Sequence, residues 1–179
     1  HSSLFALRGE MIVSAPIAKV ASVIYDESRW CEWSERTIQA YALHKGPGTL
    51  KTVYQAMEMP VVLSDRDIIY TFDYTFTKDS VTIVGRTLPK SKGPRTIGER
   101  MHLTEGRWFL KKKGSNQTHL ILEILIDPKG SLPSWFVNLI QRDYPVGLLN
   151  QLSVQARRAN VKPLTMTTGP LTMGKDPQK

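Results

Sequence analysis

One stretch near the C-terminus decides the fold: Asp127-Pro128-Lys129-Gly130-Ser131-Leu132-Pro133-Ser134-Trp135-Phe136-Val137-Asn138. Its turn residues end the apolar, alternating segment 118–126, which is typical of a β-strand. Ser131 then suits a helix N-cap, and Pro133 suits the first helical turn. Apolar residues follow at helical spacing: Leu132, Trp135, Phe136, Leu139, Ile140, Leu148, Leu149, Leu152 and Ala156. The stretch predicts a strand followed by a long amphipathic helix to about residue 159, kinked or broken at Pro145 because proline lacks a backbone donor.

Most of the chain before this helix alternates between apolar and polar residues. Strands are predicted for residues 4–13, 37–44, 49–57, 67–77, 80–88, 97–112 and 118–126. One short helix interrupts them, with Ser14 or Ala15 at its cap, Pro16 in its first turn and its end near Asp26. A run of antiparallel strands followed by a long amphipathic helix predicts an α+β fold, with the helix packed on one face of the sheet.

The composition is that of one globular domain. The chain has 179 residues, of which 41% are hydrophobic and 22% charged. It contains no run of about 18 apolar residues, so we expect no transmembrane helix. The net charge of +8 favours an anionic partner, although an uninvolved basic surface explains it equally well. The lysine and arginine clusters lack interleaved stacking aromatics, so an acidic membrane surface is favoured over nucleic acid.

The sequence lacks the common motifs of catalysis and metal binding. It has no phosphate-binding glycine loop, paired-cysteine zinc spacing or Gly-x-Ser-x-Gly elbow. His102 and His119 lie on predicted paired strands and could approach each other, but a metal would need a third ligand. Cys31 has no histidine nearby in the sequence to activate it. We therefore expect no enzyme activity, no cofactor and no metal.

Three motifs carry a family resemblance. Pro60 followed by Ser64-Asp65-Arg66-Asp67 resembles the proline and the Ser-x-Arg-Asp strand opening of START (StAR-related lipid transfer) domains. The stretch from Asp127 to Trp135 resembles the Asp-Pro-x-Gly-x-x-Pro-x-Trp motif of that family, and Asp26 with Trp33 resembles its early acid and tryptophan. The matches occur in family order over residues 4–158. The N-terminal helix and first strand of the family have no counterpart here, so we expect an upstream segment to be missing.

The resemblance implies a helix-grip fold of the Bet v 1-like superfamily. In that fold a curved antiparallel sheet wraps around the long C-terminal helix and encloses a tunnel for one lipid. We assign the START-like domain to residues 1–160 and an irregular tail to residues 161–179. The implied function is binding, and transfer or sensing, of one sterol, phospholipid or fatty acid by a monomer in transient contact with an anionic membrane. A cytoplasmic or peripheral membrane location is favoured, with an exported form if a signal was removed upstream.

The candidate ligand contacts lie on the last strands and on the helix. The apolar candidates are Ile121, Leu125, Trp135, Phe136, Leu139 and Ile140. Arg100 and Glu123 lie in predicted paired strands and could be cross-strand neighbours. If they face inward, they must pair or bind a polar ligand group, and if they face outward, they form an ordinary surface ion pair. The prediction adopts the inward orientation.

Access to the tunnel is predicted at residues 89–96 and at the helix. Lys90, Lys92 and Arg95 of this loop would face acidic headgroups, and Pro145 with Gly147 would let half of the helix move. Two alternative functions stay open. One is a helix-grip enzyme of the cyclase or hydrolase type acting on an apolar substrate, and the other is an interaction module with a filled interior.

Overall fold

The structure is a computed structural model that describes residues 4–45, 51–60, 62–87 and 93–166, without the side chains of Lys45 and Leu139. Eight strands and two α-helices follow one another in these ranges. They are β1 (Phe5–Val13), α1 (Ile17–Tyr25), β2 (Thr37–Lys45), β3 (Lys51–Met57), β4 (Arg66–Phe76), β5 (Ser80–Arg86), β6 (Glu99–Arg100), β7 (His102–Lys112), β8 (Thr118–Asp127) and α2 (Ser134–Arg157). A 3-10 helix, Glu27–Glu32, connects α1 to β2.

The strands form one curved sheet in the order β1-β8-β7-β5-β4-β3-β2. Every pair along this path is antiparallel, and the short β6 pairs in parallel with the start of β4. Helix α2 packs against β1 and α1. The predicted α+β helix-grip fold is confirmed.

The inner face of β4 carries a ladder of aromatic rings. Tyr70, Phe72, Tyr74 and Phe76 are buried, and the Tyr70 and Phe72 ring centroids lie 4.7 Å apart at an interplanar angle of 90°. Edge-to-face packing of this kind is favoured by the ring quadrupoles. The ladder leads into a densely packed end of the interior, where Leu120 is 0% exposed.

A buried ion pair fixes the same end of the molecule. Lys51 Nζ, at the start of β3, donates to the Glu27 carboxylate and, at 2.8 Å, to the Tyr25 carbonyl. The ammonium also lies 4.3 Å from the centroid of the Tyr25 ring. Both charged side chains are buried and shielded from water. Their ion pair joins β3 to the segment after α1.

Helix α2 approaches β1 closely at Gly9. A Cβ on Gly9 would lie 2.8 Å from Leu149 Cδ1 and 3.1 Å from Pro145 Cβ, so glycine is what permits this approach. Of the predicted kink or break at Pro145, the break is wrong, because the 24-residue helix α2 runs through this position without interruption. The proline costs one backbone hydrogen bond, but its ring contributes to packing on β1.

Several element boundaries differ from prediction. The predicted strand 97–112 is divided, because Met101 separates β6 from β7. Helix α2 begins after Pro133, whose extended backbone makes it the N-cap in place of Ser131. Pro16 is likewise the N-cap of α1. Residues 161–166 have no regular secondary structure and are docked: Val161 is buried, and Leu164 N donates to Ala18 O at 2.9 Å. Residues 167–179 lie outside the described ranges.

Candidate ligand-binding cavity

A cavity of about 290 Å³ lies between the sheet and the first half of α2. Its apolar walls come from the starts of β1 and α2 and the end of β8. They include Phe5, Leu7, Ile124, Ile126, Pro128, Leu132, Phe136, Ile140 and Leu148. A second cavity of about 110 Å³ adjoins it and extends toward Trp30, Trp33 and Trp108. Ile124, Ile126 and Leu148 line both, so the two apolar cavities are neighbours that share part of their walls.

Methionines form the wall opposite α2. Met57 and Met101 line both cavities, and Met59 lines the larger one. Methionine has an unbranched, polarisable side chain that adapts to irregular shapes. This wall can therefore adjust to ligands of different outline without movement of the backbone.

A chain of hydrogen bonds satisfies polar side chains at the smaller cavity. Tyr70 OH donates to Gln55 Oε1 at 2.8 Å, and Gln55 Nε2 donates to Thr37 Oγ1 at 2.8 Å. Thr37 Oγ1 in turn shares a 2.7 Å hydrogen bond with Ser34 Oγ. Burial raises the pKa of Tyr70 well above its ordinary value, and burial also raises the pKa of Tyr144. Both hydroxyls are therefore protonated at neutral pH and serve as donors or acceptors, not as bases.

Arg66 places a cation in the wall of the larger cavity. Its side chain is 2% exposed. One terminal nitrogen donates to the Ser64 carbonyl, and the other donates to the Lys129 carbonyl at 3.3 Å. Nε has no hydrogen-bond partner among the described residues. These contacts fix the guanidinium at the start of β4, and Nε–H donates to none of the described residues.

Two indole donors are also unused. Trp30 Nε1 and Trp33 Nε1 are buried without a hydrogen-bond partner in the described part of the chain, and both side chains line the smaller cavity. Buried donors without acceptors are uncommon in folded proteins. Each N–H would need an acceptor that the described residues do not supply.

Part of the predicted site lies at the cavity. Phe136 and Ile140 of α2 line the larger cavity. Leu139 lies in α2 between them, but its side chain is outside the described part of the structure. Trp135 is 54% exposed and does not line either cavity, so its predicted inward position is wrong. It lies one residue from the inward-facing Phe136, about 100° around the helix.

The predicted inward face of β8 is wrong by one residue. Glu123 and Leu125 are exposed, Ile121 is half-buried outside both cavities, and the cavities are lined instead by Ile124 and Ile126. A shift of one position moves every side chain of a strand to the opposite face. Both faces of β8 carry isoleucine and leucine, so hydrophobicity alone does not distinguish them. The charge of Glu123 indicates that the face it shares with Ile121 and Leu125 is the outer one.

The predicted pairing of Arg100 with Glu123 is also wrong. Glu123 lies opposite Arg8 and Arg107 in the sheet, and its carboxylate is 3.5 Å from Arg8 Nε. Arg100 forms an ion pair with the fully buried Asp67 and donates to the Pro94 carbonyl at 2.8 Å. The separation of β6 from β7 places Arg100 beside β4, where it holds the segment before β6 against the outer face of the sheet.

The structure also shows where the two histidines and part of the predicted access loop lie. His102 and His119 lie at opposite ends of the β7–β8 pair, so these side chains do not approach each other. Lys90 and Lys92 of the predicted access loop lie outside the described residues. The described end of that loop packs on the outer face, where a Cβ on Gly93 would clash with Ile69 Cδ1. Of the two predicted gate elements, α2 is the one that lines the cavity among the described residues.

Arg66 is the residue that the sequence reasoning missed. It belongs to the Ser64-Asp65-Arg66-Asp67 motif, which carries part of the resemblance to START domains. The available signal was strand phase: Arg66, Ile68, Tyr70 and Phe72 are spaced by two, and the last three are inward-facing apolar or aromatic residues. A charge in phase with a buried face is a candidate ligand contact.

Comparison with known proteins agrees with this architecture. A family model described as START domain matches residues 1–147. An uncharacterized Pseudomonas aeruginosa protein is 26% identical over 154 residues, which are 86% of this chain and 76% of that protein.

Solved structures show the same fold. Human STARD10 superposes with a TM-score of 0.78 at 19% identity over 87% of this chain, and the match spans less than two thirds, 64%, of the human chain. A STAR-related lipid transfer protein from Xanthomonas axonopodis gives 0.72 at 25% identity, over 84% of this chain and 85% of that one. The Zhui aromatase/cyclase from a Streptomyces species gives a TM-score of 0.63 at 15% identity, over 87% of this chain and 95% of that one.

In the described part of the chain, no helix combines the length and apolarity needed to span a bilayer.

Proposed function

Because this chain belongs to the START domain family, a family of lipid-binding domains, we propose that it binds one hydrophobic lipid in the adjoining cavities and carries or senses it. The observation that supports this most is the pair of adjoining apolar cavities between the sheet and α2. A packed interior would leave no such space, which argues against the interaction module with a filled core.

The size of the space favours a ligand with a single chain. The larger cavity, about 290 Å³, is at the lower end of the roughly 300–1,000 Å³ range of small-molecule sites. Each buried methylene contributes about 0.8 kcal/mol, so two more carbons tighten binding by about 15-fold as long as they fit. We expect the affinity for saturated chains to rise with length and then level off when the space is full.

Binding is tested with delipidated protein and native mass spectrometry. The protein is offered a fatty acid, a sterol and a lysophospholipid in turn, and uptake with one ligand per chain is expected for at least one class. Complete failure to take up all three contradicts the proposal. Binding of many ligands per chain, without levelling at one, indicates adsorption to the surface instead.

We propose carriage in preference to catalysis. Glu35 and Asp143 line the larger cavity, but Glu35 accepts a 2.8 Å hydrogen bond from Gln151, and Asp143 binds Arg142 through two hydrogen bonds. The Arg142 hydrogen bond lowers the pKa of Asp143, which makes it a poor general acid at neutral pH. The Streptomyces enzyme shares only the fold at its level of identity, and fold does not determine function. Recovery of the bound lipid with unchanged mass is the expected result.

Transfer requires contact with a membrane, and we propose that the start of α2 makes it. Trp135 is exposed beside the cavity-lining Phe136, and tryptophan prefers the membrane interface. The net charge of +8 attracts an anionic bilayer. Trp135→Ala is expected to weaken binding to vesicles containing phosphatidylserine, while lipid binding in solution is retained. Equal vesicle binding by both proteins contradicts this assignment.

A further inference from the structure

We infer that Arg66 binds the anionic head group of the ligand, so that the preferred ligand is a single-chain lipid ending in a carboxylate or a phosphate. This inference rests on the proposed lipid-binding function and specifies the ligand of that site. It reassigns to Arg66 the polar contact that the sequence predicted for Arg100 and Glu123.

Arg66 carries a buried positive charge. A guanidinium is protonated at every physiological pH, so Arg66 is a cation inside the protein. Burial of a cation without an opposite charge is strongly unfavourable. The Ser64 and Lys129 carbonyls orient the group but are uncharged. No ion pair joins Arg66 to a carboxylate in the described part of the chain. Arg66 lines the larger cavity, and its Nε has no hydrogen-bond partner in the described part of the chain.

Two of the acids near Arg66 form ion pairs with other residues. Asp127 pairs with Lys129 at 2.5 Å, and Asp67, on the opposite face of β4, pairs with Arg100. Glu99 lies across Gly130: a Cβ there would be 3.2 Å from Arg66 Nη2 and 3.3 Å from Glu99 Cδ. Gly130 has a positive φ of 66°, a conformation that glycine adopts freely. It lies between the side chains of Arg66 and Glu99, which do not form an ion pair with each other.

The acids of the cavity rim are engaged as well. Asp143 is held by Arg142, and Glu35 is held by Gln151. An anionic head group of the ligand would supply the ion pair that none of these acids forms with Arg66.

The surroundings of Arg66 strengthen this interaction. Pro128, Leu132 and Phe136 line the cavity with it and form an apolar wall at the start of α2. Coulombic attraction is greater where water is excluded. A head group at Arg66 would direct the acyl chain along Ile126 and Ile124, which continue into the second cavity.

The decisive comparison uses ligands that differ only in the head group. Dodecanoate, dodecyl phosphate and 1-dodecanol are titrated into the delipidated wild-type protein at pH 7.5. A charge-assisted hydrogen bond corresponds to about a 10- to 100-fold preference, so at least one anion is expected to bind that much more tightly than the alcohol. Whichever anion shows the larger preference identifies the head group. Equal binding of all three overturns the inference and leaves lipid binding intact, whereas no binding of any of them contradicts the proposed function itself.

Variants then locate the preference. Arg66→Met is expected to abolish it, and Arg66→Lys to retain part of it, since the charge remains but the fixed fork of donors is lost. Arg36, an exposed arginine that also lines the larger cavity, is the competing anchor, and Arg36→Met is expected to keep the preference. Loss of the preference in Arg36→Met with its retention in Arg66→Met overturns the assignment.

A second measurement needs no variant and covers the case in which Arg66→Met does not fold. Dodecanoate labelled with carbon-13 at the carboxyl carbon is titrated with acid while bound to the wild-type protein. A neighbouring guanidinium favours the ionised form, so the pKa of the bound carboxyl is expected to lie below that of the free monomeric acid. Burial in an apolar wall without Arg66 contact raises it instead, and a raised pKa overturns the inference.

Discussion

The interior of this protein has two unlike ends. At one end, beneath α1, the side chains of Val13, Val20, Leu110 and Leu120 are fully buried against one another. At the other end, beneath the first half of α2, the same sheet borders a cavity, and Gly147 faces open space in which an added Cβ would meet nothing within 4 Å. The strands β1 and β8 run through both ends, so the difference arises from the helices that cover them.

The difference separates stability from binding. Well-packed side chains contribute most of the free energy of unfolding, whereas the lining of a cavity already lacks part of its contacts. Substitutions at the packed end are therefore expected to change stability and leave ligand preference alone. Substitutions at the hollow end are expected to do the reverse.

The largest effect is expected from the buried ion pair of the packed end. Lys51→Met leaves the Glu27 carboxylate buried without its cation and is expected to cost about 3–5 kcal/mol of unfolding free energy in urea titrations. The matched control is Arg86→Met, which removes an exposed partner of Glu105 and is expected to cost less than about 1 kcal/mol. Similar losses in both variants would show that the Lys51 pair is not a special support of this end.

A pair of truncations on one strand compares the two ends directly. Leu120 and Ile126 both lie on the inner face of β8, one at each end. Leu120→Ala is expected to lower the unfolding free energy by about 3 kcal/mol through the void that it leaves. Ile126→Ala is expected to cost less, since it enlarges an existing cavity, and to shift preference toward longer chains. A larger stability loss from Ile126→Ala contradicts the distinction between the ends.

Filling the cavity is expected to weaken binding with little loss of stability. Ile124→Phe places a larger ring in the space shared by the two cavities and is expected to lower ligand affinity at least about tenfold, since an overpacked site costs roughly 1–3 kcal/mol. Leu125→Phe, one residue away on the exposed face, is the control and is expected to leave the affinity unchanged. Calorimetric titration of both variants separates the two faces of β8.

The smallest effect is expected from the charged outer surface of β1 and β8. Hydrogen bonds from His119 and Arg8 lower the pKa of Glu10. A carboxylate with a lowered folded-state pKa stabilises the fold above its unfolded-state pKa, about 4.3, and loses that contribution as the pH falls through the lowered value. Glu10→Gln is therefore expected to differ slightly from wild type in thermal stability at pH 7, with the difference disappearing under acid conditions. A difference that grows on acidification contradicts this sign.

The fold was predictable because its signals are local and agree with one another. Alternation in the strands, the turn residues at Asp127 and Pro128, and the apolar stripe of α2 all indicate the same arrangement. The site was only partly predictable because it depends on strand phase and on tertiary register. On β8, apolar residues occupy both faces, and on β6 the irregularity at Met101 removes Arg100 from the strand pair that continuous alternation predicts. Pro145 shows that packing against Gly9 can override a local breaking signal.

Tryptophan fluorescence reports whether one lipid lies inside the protein. The chain has four tryptophans, of which Trp30, Trp33 and Trp108 line the smaller cavity and Trp135 is exposed. In the Trp135→Phe variant, every remaining indole reports from the cavity. Titration with a fatty acid brominated on its acyl chain is expected to quench this emission and to saturate at one ligand per chain. Stoichiometric binding without quenching would place the lipid outside the cavity and contradict the account.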